Sequence, residues 1–415
     1  MASVLIVLLG IAGMLLGWFV YSKFIAERIF QLDPNFRTPA HELRDGVDYV
    51  PTNKVVLWGH HFTSVAGAAP IVGPAIAVYW GWVPAVLWVV FGTMFFAGVH
   101  DMGALWASSR HKGKSMGALA EDVIGKRTRS LFMVVVFLVL LMVNAVFGVV
   151  IAKSFVSQPD AVFPAWMAIA VALVIGQLLK RNFSLIPMCL VGIIVLYASV
   201  FAGSYIPIEL PDTLFGLSAN ANWIIILFVY AAIASLLPVW MLLQPRDFIN
   251  GMQLLVGLFL LYGAVFVSLP DITAPAFNTQ TAVDTPSIIP LLFVTIACGA
   301  VSGFHGIVSS GTSSKQLDKE TDARFVGYLG AVGEGCLALV TIVAVSGVAL
   351  AASPEEWHEV YSHLGDGSVA AFITGGANLI QQGWGLPVEF SSTILATMVV
   401  LFAGTTMDSG VRLQR

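Results

Sequence analysis

Apolar residues along this 415-residue chain come in long unbroken runs, and polar residues gather between the runs instead of alternating with them. At about 20 apolar residues per crossing, the pattern predicts about eleven membrane helices, near 3–21, 61–80, 83–107, 131–152, 162–179, 184–205, 222–243, 248–269, 288–310, 326–351 and 389–411. The piece Val369–Ile380 is too short to cross and reads as a re-entrant or surface helix. The fold class is therefore an all-α polytopic membrane protein.

One stretch departs from the plain pattern. Gly59-His60-His61-Phe62-Thr63-Ser64-Val65-Ala66-Gly67-Ala68-Ala69-Pro70-Ile71-Val72-Gly73-Pro74 lies within a span yet carries glycines, prolines, histidines and hydroxyls. Pro70 has no N–H for the carbonyl of Ala66, nor Pro74 for that of Pro70, so a helix here is interrupted and the freed oxygens need another partner. Broken helices at membrane depth line substrate and ion sites in secondary transporters. A kink that only shapes packing is the other reading. A second interruption is expected at Ser235-Leu236-Leu237-Pro238-Val239-Trp240, where Pro238 would free the carbonyl of Ala234. Five spans from 61 to 205 followed by five from 222 to 411 make an odd number per unit, which inverts the second unit relative to the first. The expected organisation is thus an extra helix and loop over 1–58, a first five-helix repeat over 59–205 and a second over 206–415.

Charge placement orients these spans. With the N-terminus outside, every Lys and Arg except Lys153, out of 20, falls in inner loops or the tail, while outer loops carry Glu209, Asp212, Asp271, Asp284, Glu355, Glu356, Glu359 and Asp366. The cytoplasmic membrane is the expected location. The composition, 58% hydrophobic and 11% charged with mean hydropathy +0.87, excludes a soluble core. No basic tract suits nucleic acid. Cys189, Cys298 and Cys336 lie in apolar stretches without metal-binding spacing and read as small core residues, so no metal site and no cofactor are expected.

Few titratable groups lie within spans, and each is a functional candidate because its burial is costly. They are His100, Asp101, His305, Glu334 and Asp408. Glu334 is flanked on its face by Gly330, Ala331 and Ala338, a setting where a carboxylate can meet a neighbouring helix. Asp408 has Arg412 four residues on and reads as an ion pair at the inner rim. On the span 288–310, Cys298, Ser302, His305 and Ser309 share a face, with Gly299, Gly303, Gly306 and Ser310 on the next. Those hydroxyls either build an oxygen-lined cation site with the carbonyl near Ala66 or bond back to their own helix. His60 and His61 point about 100° apart, so at most one faces a given cavity. Gln244-Pro245-Arg246-Asp247 reads as an inner turn anchored at the membrane surface.

Several of these stretches resemble the carbon starvation protein A family of bacterial and archaeal membrane transporters. They are Asp45-Gly46-Val47-Asp48-Tyr49-Val50-Pro51-Thr52-Asn53-Lys54, the run from Gly59 through Gly73-Pro74, Leu237-Pro238-Val239-Trp240 through Pro245-Arg246-Asp247, and Thr295 through His305 to Ser309-Ser310-Gly311-Thr312. The resemblance implies uptake of pyruvate or small peptides driven by a cation gradient, and a relation to the amino acid, polyamine and cation transporter superfamily. Ala69 stands where members have glycine, and members continue past the motif resembling Thr405–Arg412, so further helices are expected beyond Arg415.

The function expected is secondary active import of a small carboxylate-bearing nutrient, coupled to H+ or Na+, with the lipid bilayer as its setting and the oligomeric state open. Half-helix N-termini suit a carboxylate, and freed carbonyls and hydroxyls suit a cation. The substrate side is assigned to Ser64, Gly67, Ala68, Pro70, Ser235, Pro238, Trp240 and His305, and the ion side to Ala66, Asp101, Ser302, Ser309, Ser310 and Glu334. A nutrient sensor that does not transport is the first alternative. The second, a His-dependent membrane enzyme, lacks the HExxH-type spacing it would need.

Overall fold

A computed structural model of the chain describes residues 2–181, 183, 185–238, 241–282, 285–297, 302–365 and 369–414. The long helices, in chain order, are α1 (Ala2–Ile29), α2 (Lys54–Ala66), α3 (Ala69–Trp80), α4 (Trp82–Arg110), α5 (Lys126–Ser157), α6 (Pro159–Leu179) and α7 (Leu185–Gly203). They continue with α8 (Ala219–Leu236), α9 (Leu243–Ser268), α10 (Ile288–Thr295), α11 (Gly303–Gly311), α12 (Arg324–Ser346), α13 (Val369–Trp384) and α14 (Val388–Gln414). Eight of these are long and apolar enough to cross a membrane, or up to nine if the bent pair α2–α3 counts as one span. The chain is a multi-pass, all-α membrane protein. Its centre is α12 and α14, 83% buried over their most apolar stretches against 28% for α5, whose apolar face turns outward. The helix α13, 16 residues long, packs on α9, α12 and α14.

The interruption between α2 and α3 is where the sequence places it. The two halves are bent by 46°. Gly67 makes the corner with φ 53°, and a Cβ there would lie 2.7 Å from Thr406 Oγ1, so only glycine fits both the backbone and the space. Pro70 falls in the first turn of α3, where a missing N–H leaves no helical bond unmade.

The second interruption lies elsewhere than expected. Helix α8 ends at Leu236, and Leu237 N–H donates to the Ala234 carbonyl at 3.1 Å, so that oxygen is not freed. Pro238 pushes Leu237 to extended backbone, φ −77° and ψ 149°, and the helix ends at Leu236 instead of being broken within its length. Val239 and Trp240 lie outside the described residues. The span 288–310, expected as one helix, is instead the broken one: α10 stops at Thr295, and Ser302 is extended, φ −125° and ψ 126°, before α11 begins. Cys298 and Gly299 lie outside the described residues.

The two broken helices run antiparallel beside each other. Thr52 bridges Leu317 at one end, and Asn278 N–H donates to the Trp80 carbonyl at 3.0 Å at the other. Between them Gly73 is pressed on the end of α10, where an added Cβ would lie 2.3 Å from the Thr295 carbonyl. An apolar cavity of about 400 Å³ adjoins this contact, with Val65, Ala69, Gly73, Phe147, Thr295 and Phe304 in its wall.

Candidate coupling and binding sites

Helix α2 carries adjacent histidines that diverge by about 100°, and each reaches a separate buried charge cluster. On the His61 side three helices converge. Asp101 of α4 and Glu334 of α12 flank His305 of α11, with Nδ1 2.8 Å from Asp101 Oδ2 and Nε2 2.9 Å from Glu334 Oε2. All three are at most 1% exposed. His100 Nδ1 lies 2.9 Å from the other Asp101 oxygen, and His61 approaches Asp101 at 4.0 Å while bonding Ser313 Oγ at 2.9 Å. His100 is one-third exposed, the member of this group that reaches a surface. Its neighbours Gly306, Met116 and Ser302 line an open groove beside α5.

This arrangement can hold a proton in two equivalent ways. An imidazolium between two carboxylates, and a neutral imidazole between a carboxylate and a carboxylic acid, contain the same number of protons and make the same two contacts. Removing one proton sets a lone pair against an ionised oxygen in a dry site, which is unfavourable. Occupancy of the triad by a proton is therefore tied to how closely α4, α11 and α12 approach.

On the His60 side the cluster contains a fixed cation. Arg246 and Asp247 open α9, Asp408 lies on α14 and Tyr230 on α8. Arg246 Nη1 pairs with Asp408 and also donates to Tyr230 Oη at 2.7 Å, while Nη2 donates to Asp247 Oδ1 at 3.1 Å. Tyr230 donates to Asp408 at 2.8 Å, and His60 Nδ1 lies 2.7 Å from Asp247 Oδ2. The reading of Gln244–Asp247 as a surface turn is thus corrected, since Arg246 is 2% exposed and Asp247 fully buried. The expected Asp408–Arg412 pair is corrected too. Arg412 donates to Asp48 and to the Leu237 carbonyl, both at 2.9 Å, while Asp408 is taken by Arg246 and Tyr230.

The other candidates divide as follows. Ser64 belongs to the His60 side, its Oγ 3.5 Å from Asp247 Oδ2 and its carbonyl accepting from Thr406 Oγ1 at 3.2 Å. Gly67, Ala68 and Pro70 form the α2–α3 corner, where Gly67 lies against Thr406 and Phe147. Ser235 donates to its own Ala232 carbonyl at 2.8 Å, and Pro238 lies in the turn beyond α8. Ser302 precedes α11 as its cap. The Ser310 hydroxyl is tied between the Gly306 carbonyl, 2.8 Å, and Met116 N–H, 3.1 Å, so it is not directed at Ala66. Ser309 Oγ is buried without a hydrogen-bond partner among the described residues. Near Ala66, Val65 packs with Phe304 and Val308, an apolar surrounding that does not gather cation ligands. Among the functional candidates, Tyr230 escaped sequence reasoning, and Arg246, Asp247 and Asp408 were read as rim or surface groups and not as one buried cluster. The available signal was an Arg-Asp pair opening a long apolar helix, which patterns of three and four residues cannot connect to Asp408.

The sequence pattern of carbon starvation protein CstA matches residues 2–360. Among curated proteins, the chain is similar to the peptide transporter CstA of Campylobacter jejuni, 35% identical over 351 residues, covering 82% of this chain and 50% of that protein. It is also similar to the pyruvate/proton symporter BtsT of Escherichia coli, 35% identical over 353 residues, 82% of this chain and 48% of that protein. The peptide transporter CstA of Helicobacter pylori strain J99 is 32% identical over 450 residues, 96% of this chain and 65% of that protein. The chain spans about half the length of the first two relatives.

Proposed function

The chain belongs to the carbon starvation protein CstA family, and we propose that it is the proton-coupled core of a secondary transporter importing short peptides or pyruvate across the cytoplasmic membrane. The observation that carries this reading is the buried triad Asp101–His305–Glu334, which joins the broken helix α11 to α4 and α12 with no Lys or Arg paired to it among the described residues. Two carboxylates in such a place need protons to approach neutrality. A relative named as a pyruvate/proton symporter supports H+ over Na+. Substrate reaches the contact of α2–α3 with α10–α11, near Ser64, Gly67 and Ala68, and no enzymatic step is required of these residues.

The reading includes eleven spans, adding α7 and the pair α10–α11 to the nine, arranged as a five-plus-five inverted repeat over 59–205 and 206–415. It also puts the N-terminus outside, supported by the separation of Lys and Arg. A membrane-impermeant thiol reagent added to intact cells is expected to label Ser362→Cys and not Ser115→Cys, and the opposite pattern would reverse the orientation.

Transport is tested in proteoliposomes holding the purified chain, with labelled pyruvate and labelled trialanine outside. An imposed inward proton gradient is expected to concentrate at least one of them. Saturable binding of a label with no uptake under the gradient would favour the sensor.

A further inference from the structure

Resting on the transport reading, we propose that the seam between α9 and α14 is a binding track for short peptides, with Arg246 receiving the C-terminal carboxylate and Asn250 and Gln253 receiving the peptide amides. Arg246, Asn250 and Gln253 stand at i, i+4 and i+7 and so form one stripe of α9. On α14, Thr397, Leu401, Thr405 and Asp408 repeat at the same spacing and form the facing stripe. The register is fixed along the seam. Arg246 pairs with Asp408, and Asn250 Nδ2 donates to Thr405 Oγ1 at 2.9 Å and to the Leu401 carbonyl at 3.3 Å. One turn beyond Gln253, a Cβ at Gly257 would lie 2.6 Å from Met398 Sδ.

What marks the seam is its unmet hydrogen bonding. Arg246 Nε, Asn250 Oδ1, both polar atoms of the Gln253 carboxamide, Thr397 Oγ1 and Asp408 Oδ1 are all buried without a hydrogen-bond partner among the described residues. The five residues are at most 2% exposed. Polar groups that only glue helices together are paired with each other, as Asn250 Nδ2 is here. Gln253 pairs with nothing among the described residues, at a depth where hydrocarbon surrounds the protein.

The chemistry of the orphaned atoms selects a ligand. A guanidinium edge matches a carboxylate, and Arg246 keeps Nε open while its terminal nitrogens hold Asp408, Asp247 and Tyr230. A cavity of about 40 Å³, room for two or three waters, lies at this end and is lined by Arg246, Tyr230, Trp166, Leu401, Gly404 and Met407. Carboxamides present a donor and an acceptor side by side, as a peptide bond does. Seven residues of helix rise about 10 Å, which is about the length of three extended residues. A tripeptide anchored at Arg246 reaches Gln253, whereas pyruvate is too short to do so.

The test is equilibrium binding of labelled trialanine and labelled pyruvate to the purified full chain, with uptake followed in proteoliposomes. In Gln253→Met, the ratio of trialanine to pyruvate affinity is expected to fall about tenfold or more, and Asn250→Leu is expected to shift it in the same direction. Arg246→Lys keeps a charge in the cluster and is expected to weaken both ligands about tenfold. Trialanine amide, lacking the carboxylate, is expected to compete at least tenfold more weakly than the acid. The proposal is overturned if Gln253→Met and Asn250→Leu, melting as the parent does, keep the parent's affinity ratio within about twofold, or if the amide competes as well as the acid. A parent that takes up pyruvate but neither binds nor moves trialanine overturns the peptide track alone. A parent that moves neither label overturns the transport reading and the track with it.

Discussion

The two faces of α2 hold clusters that are alike in composition and opposite in electrical design. Each contains two buried carboxylates and a histidine from the same adjacent pair. On the His60 side Arg246 supplies a permanent positive charge to both Asp247 and Asp408. On the His61 side Asp101 and Glu334 share only imidazoles. A permanent charge makes a cluster less dependent on protons and costly to dismantle, while imidazoles alone leave its neutrality wholly to protons. The difference separates a fixed anchor, able to meet a charged ligand, from a group that can load and release H+.

The comparison breaks most forcefully at the anchor. Arg246→Met leaves two carboxylates buried without their cation and is expected to destabilise the protein by about 3–5 kcal/mol. The measurement is the melting temperature and the monodisperse yield in detergent. Arg246→Met combined with Asp408→Asn and Asp247→Asn removes the uncompensated charge and is expected to recover most of that loss, since an apolar or neutral replacement of a whole buried pair is often near neutral. Equal melting of the single variant and the parent would show that Arg246 is not the electrostatic centre of its cluster.

On the proton-dependent side the expected effect is functional. Under a gradient of one pH unit, a symporter moving one proton per substrate can accumulate up to about tenfold, since one unit is about 1.4 kcal/mol. Glu334→Gln keeps the size of the side chain and its contact with His305 but cannot ionise. Gradient-driven accumulation is expected to fall from about tenfold to no accumulation, and counterflow exchange to stay within about threefold of the parent. Asp101→Asn is expected to act in the same direction. Full concentrative uptake by both variants would move proton coupling away from this face.

How much of this was legible in the chain follows from the range over which each feature is encoded. The spans could be read because an apolar run is local and its length is set by the bilayer. The corner at Gly67 could be read because glycine and proline act within a few residues. The second break was not placed at Ser302 because no proline marks it, and the Gly299–Gly303 spacing reads in preference as a helix-packing motif. Glu334, Asp101 and His305 were each identified by cost of burial, but their meeting joins residues 204 apart in sequence for His305 and Asp101. Arg246 and Asp408 are 162 apart. Rules of three and four residues offered Arg412 as the partner for Asp408, a choice that only the packing of α9 against α14 could correct.

The smallest expected effect concerns the two prolines that sequence reasoning treated as equivalent. If Pro238 freed the Ala234 carbonyl for a ligand, restoring an N–H at 238 would compete with that ligand and weaken binding by roughly 1.5–3 kcal/mol, the worth of one charge-assisted contact. In the structure Leu237 N–H already occupies that oxygen, and Pro238 lies beyond the helix. Pro238→Ala is therefore expected to change ligand affinity by less than about twofold, well under one such contact. Pro70→Ala tests the other corner, where Gly67 holds the bend through its backbone and the missing N–H falls in a first turn. Its expected cost is about 0.4–1 kcal/mol of stability, through the greater freedom of the unfolded chain. Both variants are measured as purified proteins by equilibrium binding of labelled pyruvate or trialanine, beside their melting temperatures. A tenfold loss of affinity in Pro238→Ala, with melting unchanged, would place the α8–α9 turn in the site and make the His60 face a binding surface along its whole inner edge.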